Sequence, residues 1–296
     1  MKNRGMFVAI LAYLIWGLLP VYWKLLKAVP ALEILSHRIV WALVFNVLVL
    51  TAMRRWGWMR TTLRNRKTLL VFLASTVLLS ANWLTYIWAV NNGYIVESSL
   101  GYFILPLLNV ATGVLFFQER IRPGQWLAIA VALAGVVYLV IAQGGVLWIS
   151  FTLAITFALY GVMRKTAALD SLEGLTLETA IVALPALVYL VYLELQGGAA
   201  FGHIDLGTTL LLVLSGVATA VPLLLFASGV RQIPMSTIGI LQYIAPVIQF
   251  GLGAFVYREP FSAARWMGFA IIWLALTIYT VERIWWQRRI PSILPA

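Results

Sequence analysis

The chain has 296 residues, of which 62% are hydrophobic and 10% charged, far below the roughly 25% charged of an average soluble domain. Its formal charge of +11 would suit nucleic acid if the basic residues patterned one soluble surface. Instead they fall in short segments between apolar runs, as topology signals of a membrane protein do.

A hydrocarbon core about 30 Å thick takes roughly 20 apolar residues in a helix, and ten such runs can be read along the chain. The first covers 5–23. The second, 31–53, carries Glu33, His37 and Arg38 near its start, and a basic linker follows with Arg54, Arg55, Arg60, Arg64, Arg66 and Lys67. Helices three and four take 69–90 and 95–117, parted by Asn91-Asn92-Gly93. The charge-free run from 125 to 163 is too long for one span, and Gln143-Gly144-Gly145 supplies the turn that divides it. Helix seven runs over about 177–193, and the last three cover 208–230, 235–257 and 265–284. The expected fold is all-α and integral to the membrane, with ten transmembrane helices. No small-residue cleavage site follows the basic start Met1–Arg4, so no cleavable leader is expected.

With the N-terminus inside, sixteen Lys and Arg fall in cytoplasmic segments, and four, Lys24, Lys27, Arg258 and Arg265, fall outside; Arg38 is left within the membrane. Both termini are therefore expected in the cytoplasm, with the chain in the inner, cytoplasmic membrane.

A repeat organises the chain. Shifted by 140 positions, residues 97–126 lie over 237–266, and Pro106, Gly113, Glu119 and Trp126 recur as Pro246, Gly253, Glu259 and Trp266. Five helices per half is an odd number, so the second half enters the membrane from the opposite side. Residues 1–145 and 146–296 are thus expected to form two inverted five-helix repeats, an architecture of many secondary transporters with the substrate near the midplane. In the second helix of each half, Arg38 falls opposite Glu178, so those equivalent positions differ in charge.

Polar residues within the spans are the candidate site. Arg38 could hold an anionic or polar solute; it could also snorkel outward or pair with Glu33 or Glu97. His37, one turn beyond Glu33, reads as a structural histidine or a proton-handling group. Glu97 opens helix four, where the helix dipole favours a carboxylate, and is also placed to couple protonation to solute binding. Asn82, Trp83, Trp88, Tyr102 and Asn109 on helices three and four, with Gln242, Tyr243 and Gln249 in the second half, offer the amides and flat rings that small-molecule pockets use. Interhelical hydrogen bonding is the competing role for the amides. Pro106 and Pro246 suggest paired bends for gating. Glu119 and Glu259, at helix ends, are expected to lock helix hairpins.

These residues resemble the drug/metabolite transporter superfamily, and within it the ten-helix EamA type. Trp16-Gly17, Arg38, Pro106 and Glu119 match its pattern, with Pro246 and Glu259 in the second half. The chain departs from the pattern at Tyr160-Gly161, in place of a second Trp-Gly, and at Leu105 before the proline. The stretch from Asn82-Trp83 through Tyr102-Phe103 resembles one subgroup, linked by its label to chloramphenicol sensitivity. The resemblance covers nearly the whole chain. It implies export of a small metabolite or drug, and adds Trp16 to the expected binding residues.

The expected function is therefore a secondary transporter for a small polar or amphipathic solute, working by alternating access. No nucleotide-binding segment is read, so an ion gradient or exchange would drive it. The alternatives are a solute channel or a non-transporting membrane interaction protein. There is no HExxH, GxSxG or phosphate-binding loop, and with two histidines and no cysteine no transition-metal cluster. An enzyme, a cofactor and a resident metal are not expected. The partners expected are the solute and the lipid bilayer, with no nucleic acid and a homodimer left open.

Overall fold

The computed structural model describes residues 2–92, 94–143, 147–257 and 262–289, and these contain helices but no strand. In chain order they are α1 (Lys2–Leu25), α2 (Ala31–Ala52), α3 (Trp58–Arg64), α4 (Arg66–Asn91), α5 (Ile95–Phe117), α6 (Pro123–Gln143) and α7 (Leu147–Thr166). Then follow α8 (Ser171–Leu195), α9 (Leu206–Val230), α10 (Met235–Gln242), α11 (Ile244–Gly251) and α12 (Ala263–Arg289). Eight of these are long and apolar enough to cross a membrane, and α12 contains a shorter apolar stretch, Trp266–Glu282.

The differences from the sequence reading have local causes. The stretch 235–257, expected as one helix, is divided into α10, α11 and a π-helical turn, Leu252–Val256. Pro246 has no N–H to give the Gln242 carbonyl, and the Tyr243 N–H turns back to the Ile240 carbonyl at 3.2 Å, so the helix breaks there. Pro106, its counterpart in the repeat, lies inside the continuous α5, so only the second proline interrupts its helix. The basic linker contains the short α3. Helix α8 starts at Ser171, earlier than hydropathy suggests, because Asp170 and Glu173 form a capping box there. Asp205 starts α9 by accepting from the Thr208 N–H (2.8 Å) and hydroxyl (2.6 Å). Those donors hold its carboxyl below the usual carboxylate range.

The two halves interleave. Helix α1 packs on α9 and α11, α2 on α8 and α9, α4 on α7 and α8, α5 on α7 and α10, and α6 on α12. Every long helix of 1–145 thus finds its main neighbours in 146–296. The two largest buried clusters mix both halves as well, one centred on Tyr13, Tyr160 and Phe226, the other on Phe103, Phe250 and Phe269.

One buried cluster is ionic. Arg164 and Glu178 are 0% and 1% exposed and 3.7 Å apart. Ser75 Oγ (2.6 Å) and the Tyr160 hydroxyl (3.2 Å) donate to the Glu178 carboxylate, and Arg164 Nη2 donates to the Ser171 carbonyl at 3.0 Å. Gly174 makes room for the guanidinium: a Cβ there would lie 2.0 Å from Arg164 Nη1.

Candidate functional site

A cavity of about 220 Å³ lies between the halves, lined by α1, α2, α4, α5, α7, α9, α10 and α11. It lies toward the end of α1 and the start of α2. The spacing of its lining residues follows from helix geometry. Trp16, Pro20 and Trp23 recur along one face of α1, and Asn82 and Tyr86 sit one turn apart on α4.

Arg38 supplies the only formal charge among the described lining residues. A charged side chain inside a membrane costs about 2.5–3.5 kcal/mol on insertion scales, so its surroundings must stabilise it. Its Nε donates to Thr219 Oγ1 at 2.9 Å, which ties α2 to α9. Its guanidinium carbon lies 4.7 Å from the centre of the Trp23 ring and 5.8 Å from that of Trp83, within reach of cation–π attraction. Among the described residues no carboxylate pairs with it: Glu33 instead accepts from the Ala200 and Phe201 N–H groups, at 2.7 and 3.3 Å.

The amides are held by backbone and side-chain partners from other helices. Asn82 Nδ2 donates to the Leu153 carbonyl (2.8 Å) and Thr156 Oγ1 (3.0 Å), binding α4 to α7. Gln249 Nε2 donates to the Trp16 carbonyl at 3.2 Å. That carbonyl has no partner within α1, because the residue four positions on is Pro20. Asn109 Nδ2 donates to Gln242 Oε1 at 2.6 Å, a buried bond between the halves.

The floor is aromatic. Trp16 packs on Tyr13, Phe157 and Phe226 with ring centres 5.6, 6.0 and 5.6 Å apart, and Tyr160 continues the stack against Phe226 at 6.4 Å. Beyond the floor, both sides of the α9–α10 junction are held by charge. Lys165 Nζ donates to the Val230 and Ile233 carbonyls, at 2.9 and 2.6 Å. The Glu119 carboxylate accepts from the Met235 N–H (2.6 Å), the Ser236 N–H (2.9 Å) and the Ser236 hydroxyl (2.6 Å). Both groups complement the helix dipole, a cation at the end of α9 and an anion at the start of α10.

The local backbone delivers Glu119 to that place. Gln118 ends α5 at a φ of +51°, and the Glu119 N–H closes on the Gly113 carbonyl at 3.0 Å, so the chain doubles back. A Cβ at Gly113 would lie 2.6 Å from Glu119 Oε2 and 3.0 Å from the Ser236 nitrogen. Glycine in the repeat therefore admits a carboxylate together with another helix's first turn. The sequence places Glu119 as a lock on its own hairpin; its contacts are with α10, in the other half.

Of the residues expected at the site, Trp16, Arg38, Asn82, Trp83, Tyr102, Gln242, Pro246 and Gln249 line the cavity. Asn109 stands behind Gln242, and Tyr243 is buried with its hydroxyl donating to the Phe103 carbonyl at 3.2 Å. Trp88 is 45% exposed and stacks on Tyr94 at 5.6 Å, away from the cavity. His37 stacks on Phe201 at 4.8 Å, with Nε2 3.9 Å from Glu33. Pro106 is buried within α5 and does not line the cavity. The Glu97 side chain and Glu259 lie outside the described residues. Trp23, Tyr86 and Thr219 also line the cavity. Helical spacing from Trp16 and Asn82 points to Trp23 and Tyr86; Thr219 has no sequence signal beyond its place in α9.

Comparison with known proteins agrees with this architecture. Residues 3–141 and 143–281 each match the EamA-like transporter family. The chain is 46% identical to the protein RarD of Streptomyces exfoliatus, over 100% of this chain and 94% of that one. It is 45% identical to the uncharacterized transporter YojE of Bacillus subtilis, over 97% and 96%. One solved crystal structure shares the fold with a TM-score of 0.71 at 19% identity, over 95% of this chain and 99% of its own. Matched in both halves and along its whole length, this multi-pass membrane protein belongs to the EamA-like transporter family.

Proposed function

We propose that the protein is a secondary transporter that moves a small polar or amphipathic solute out of the cell by alternating access, driven by an ion gradient or by exchange. In this reading the chain spans the inner membrane ten times as two inverted repeats, with α10 and α11 together making the ninth span and both termini in the cytoplasm. The cavity then opens outward, and the aromatic floor with the Glu119 and Lys165 contacts closes the cytoplasmic side. The observation that carries the reading is the cavity itself: both halves build it, and one end is sealed by bonds that cross between them. A carrier needs a site whose two gates open in turn, and bonds between the halves are the contacts that such a motion exchanges. Within the site, Trp16, Arg38, Asn82, Tyr102, Gln242 and Gln249 contact the solute.

The test is flux in reconstituted vesicles, with a panel that includes the chloramphenicol suggested by the resemblance. Saturable uptake stimulated by solute on the opposite face, or by an imposed ion gradient, is the expected result. Flux that rises without limit with concentration would make the protein a channel. Absence of flux with every member of a broad panel would favour an interaction protein.

A further inference from the structure

The cavity's chemistry narrows the solute class, on the reading of it as a carrier's binding site. The described lining holds one cation and no carboxylate. Arg38 is anchored through Nε to Thr219 and covered by Trp23 and Trp83, and neither Nη group has an acceptor among the described residues. A guanidinium fixed by one nitrogen presents the two Nη atoms side by side, the edge that takes a carboxylate. The rest of the wall is flat and largely apolar: Trp16, Tyr86, Tyr102 and Phe157 surround the space. About 150 Å³ holds benzene in an engineered protein cavity, so about 220 Å³ suits one or two fused rings with a short polar arm.

We propose that the solute is a small organic monoanion, a carboxylate borne on an aromatic or similarly flat body, with its carboxylate on the Nη edge of Arg38. The alternatives fit the charges less well. A cation would face Arg38 with no counter-charge. A zwitterion would bring an ammonium group to a lining without an acid. A neutral solute would leave the guanidinium uncompensated once water is displaced.

Three probes of one shape separate these cases: indole-3-acetate, its neutral amide indole-3-acetamide, and the cation tryptamine. Binding is measured calorimetrically to the purified full chain at about pH 8, where a carboxylate is ionised. Indole-3-acetate is expected to bind about tenfold or more tightly than the amide, as a charge-assisted pair should, with tryptamine weakest. Arg38→Gln should abolish that ranking, and Arg38→Lys should keep part of it. Equal binding of acid and amide, preference for tryptamine, or no binding by any probe would overturn the proposal. If Arg38→Gln does not fold, the wild-type ranking still decides.

Flux distinguishes this inference from the carrier reading. Arg38-dependent binding of the acid without saturable flux retires the carrier and leaves the anion site. Saturable flux of the amide or amine, with the acid inert, retires the anion and leaves the carrier.

Discussion

Pro20 deprives the Trp16 carbonyl of its helical partner, and Gln249 from the other half supplies another. Gln249→Ala should therefore lower stability by about 1 kcal/mol, the usual scale of such a bond, and also raise the half-saturating solute concentration several-fold. Thermal unfolding and vesicle kinetics read the two effects separately. Asn82→Ala should behave similarly, whereas Trp88→Ala should leave half-saturation unchanged, since its ring stacks outside the cavity. Much of this residue-level chemistry is visible in the sequence. Arg38, Asn82, Gln242 and Gln249 stand out because polar groups in apolar runs need a reason. The sequence does not show the side to which each points. Asn109 and Gln249 align in the repeat, yet Asn109 bonds to Gln242, the counterpart of Tyr102; alignment gives equivalence and says nothing of contact.

Between α10 and α11 the missing bond at Pro246 produces a real break, while α5 absorbs Pro106 without one. Pro246→Ala should let the Gln242 carbonyl regain a donor and join the two helices. The expected result is slower turnover with solute affinity kept, and a smaller effect for Pro106→Ala, both measured by flux against binding. The start of α10 offers a second test. Glu119→Gln removes the charge that holds its first turn, so the end of the cavity sealed by that contact should open more often. The chain contains no cysteine, which makes Ile238→Cys a clean reporter at a fully buried position one turn into α10. Its labelling by a water-soluble maleimide should speed up several-fold when Glu119→Gln is added. No change would leave Glu119 a static cap. Hydropathy and caps made the helices legible; the break at 243 was not, because one proline in a membrane helix is compatible with either outcome.

At the scale of the whole molecule, the Arg164–Glu178 pair is a fully buried ion pair away from the cavity. Removing one partner of a buried pair costs about 3–5 kcal/mol, whereas replacing both with apolar groups can be neutral. Glu178→Leu should thus lower the unfolding midpoint sharply in detergent, and adding Arg164→Met should recover most of the loss. Glu178 is also the repeat counterpart of Arg38, and here the duplicated scaffold carries opposite chemistry: one position faces a cavity, the other a closed ionic cluster. The duplication was legible from Pro106, Gly113 and Glu119 and their partners. The interleaving of the halves was not, since periodicity reports which face is apolar without naming the helix that covers it. The charge of Arg38, with no carboxylate partner among the described residues, has an electrical consequence. If the solute is the anion proposed above, Arg38 stays with the protein through each cycle and each turnover moves the anion's own charge across the membrane field. At a potential of about 100 mV, negative inside, that contributes roughly 2.3 kcal/mol per charge, near a fifty-fold bias toward the outside. Membrane voltage would then favour export before any coupled ion is counted.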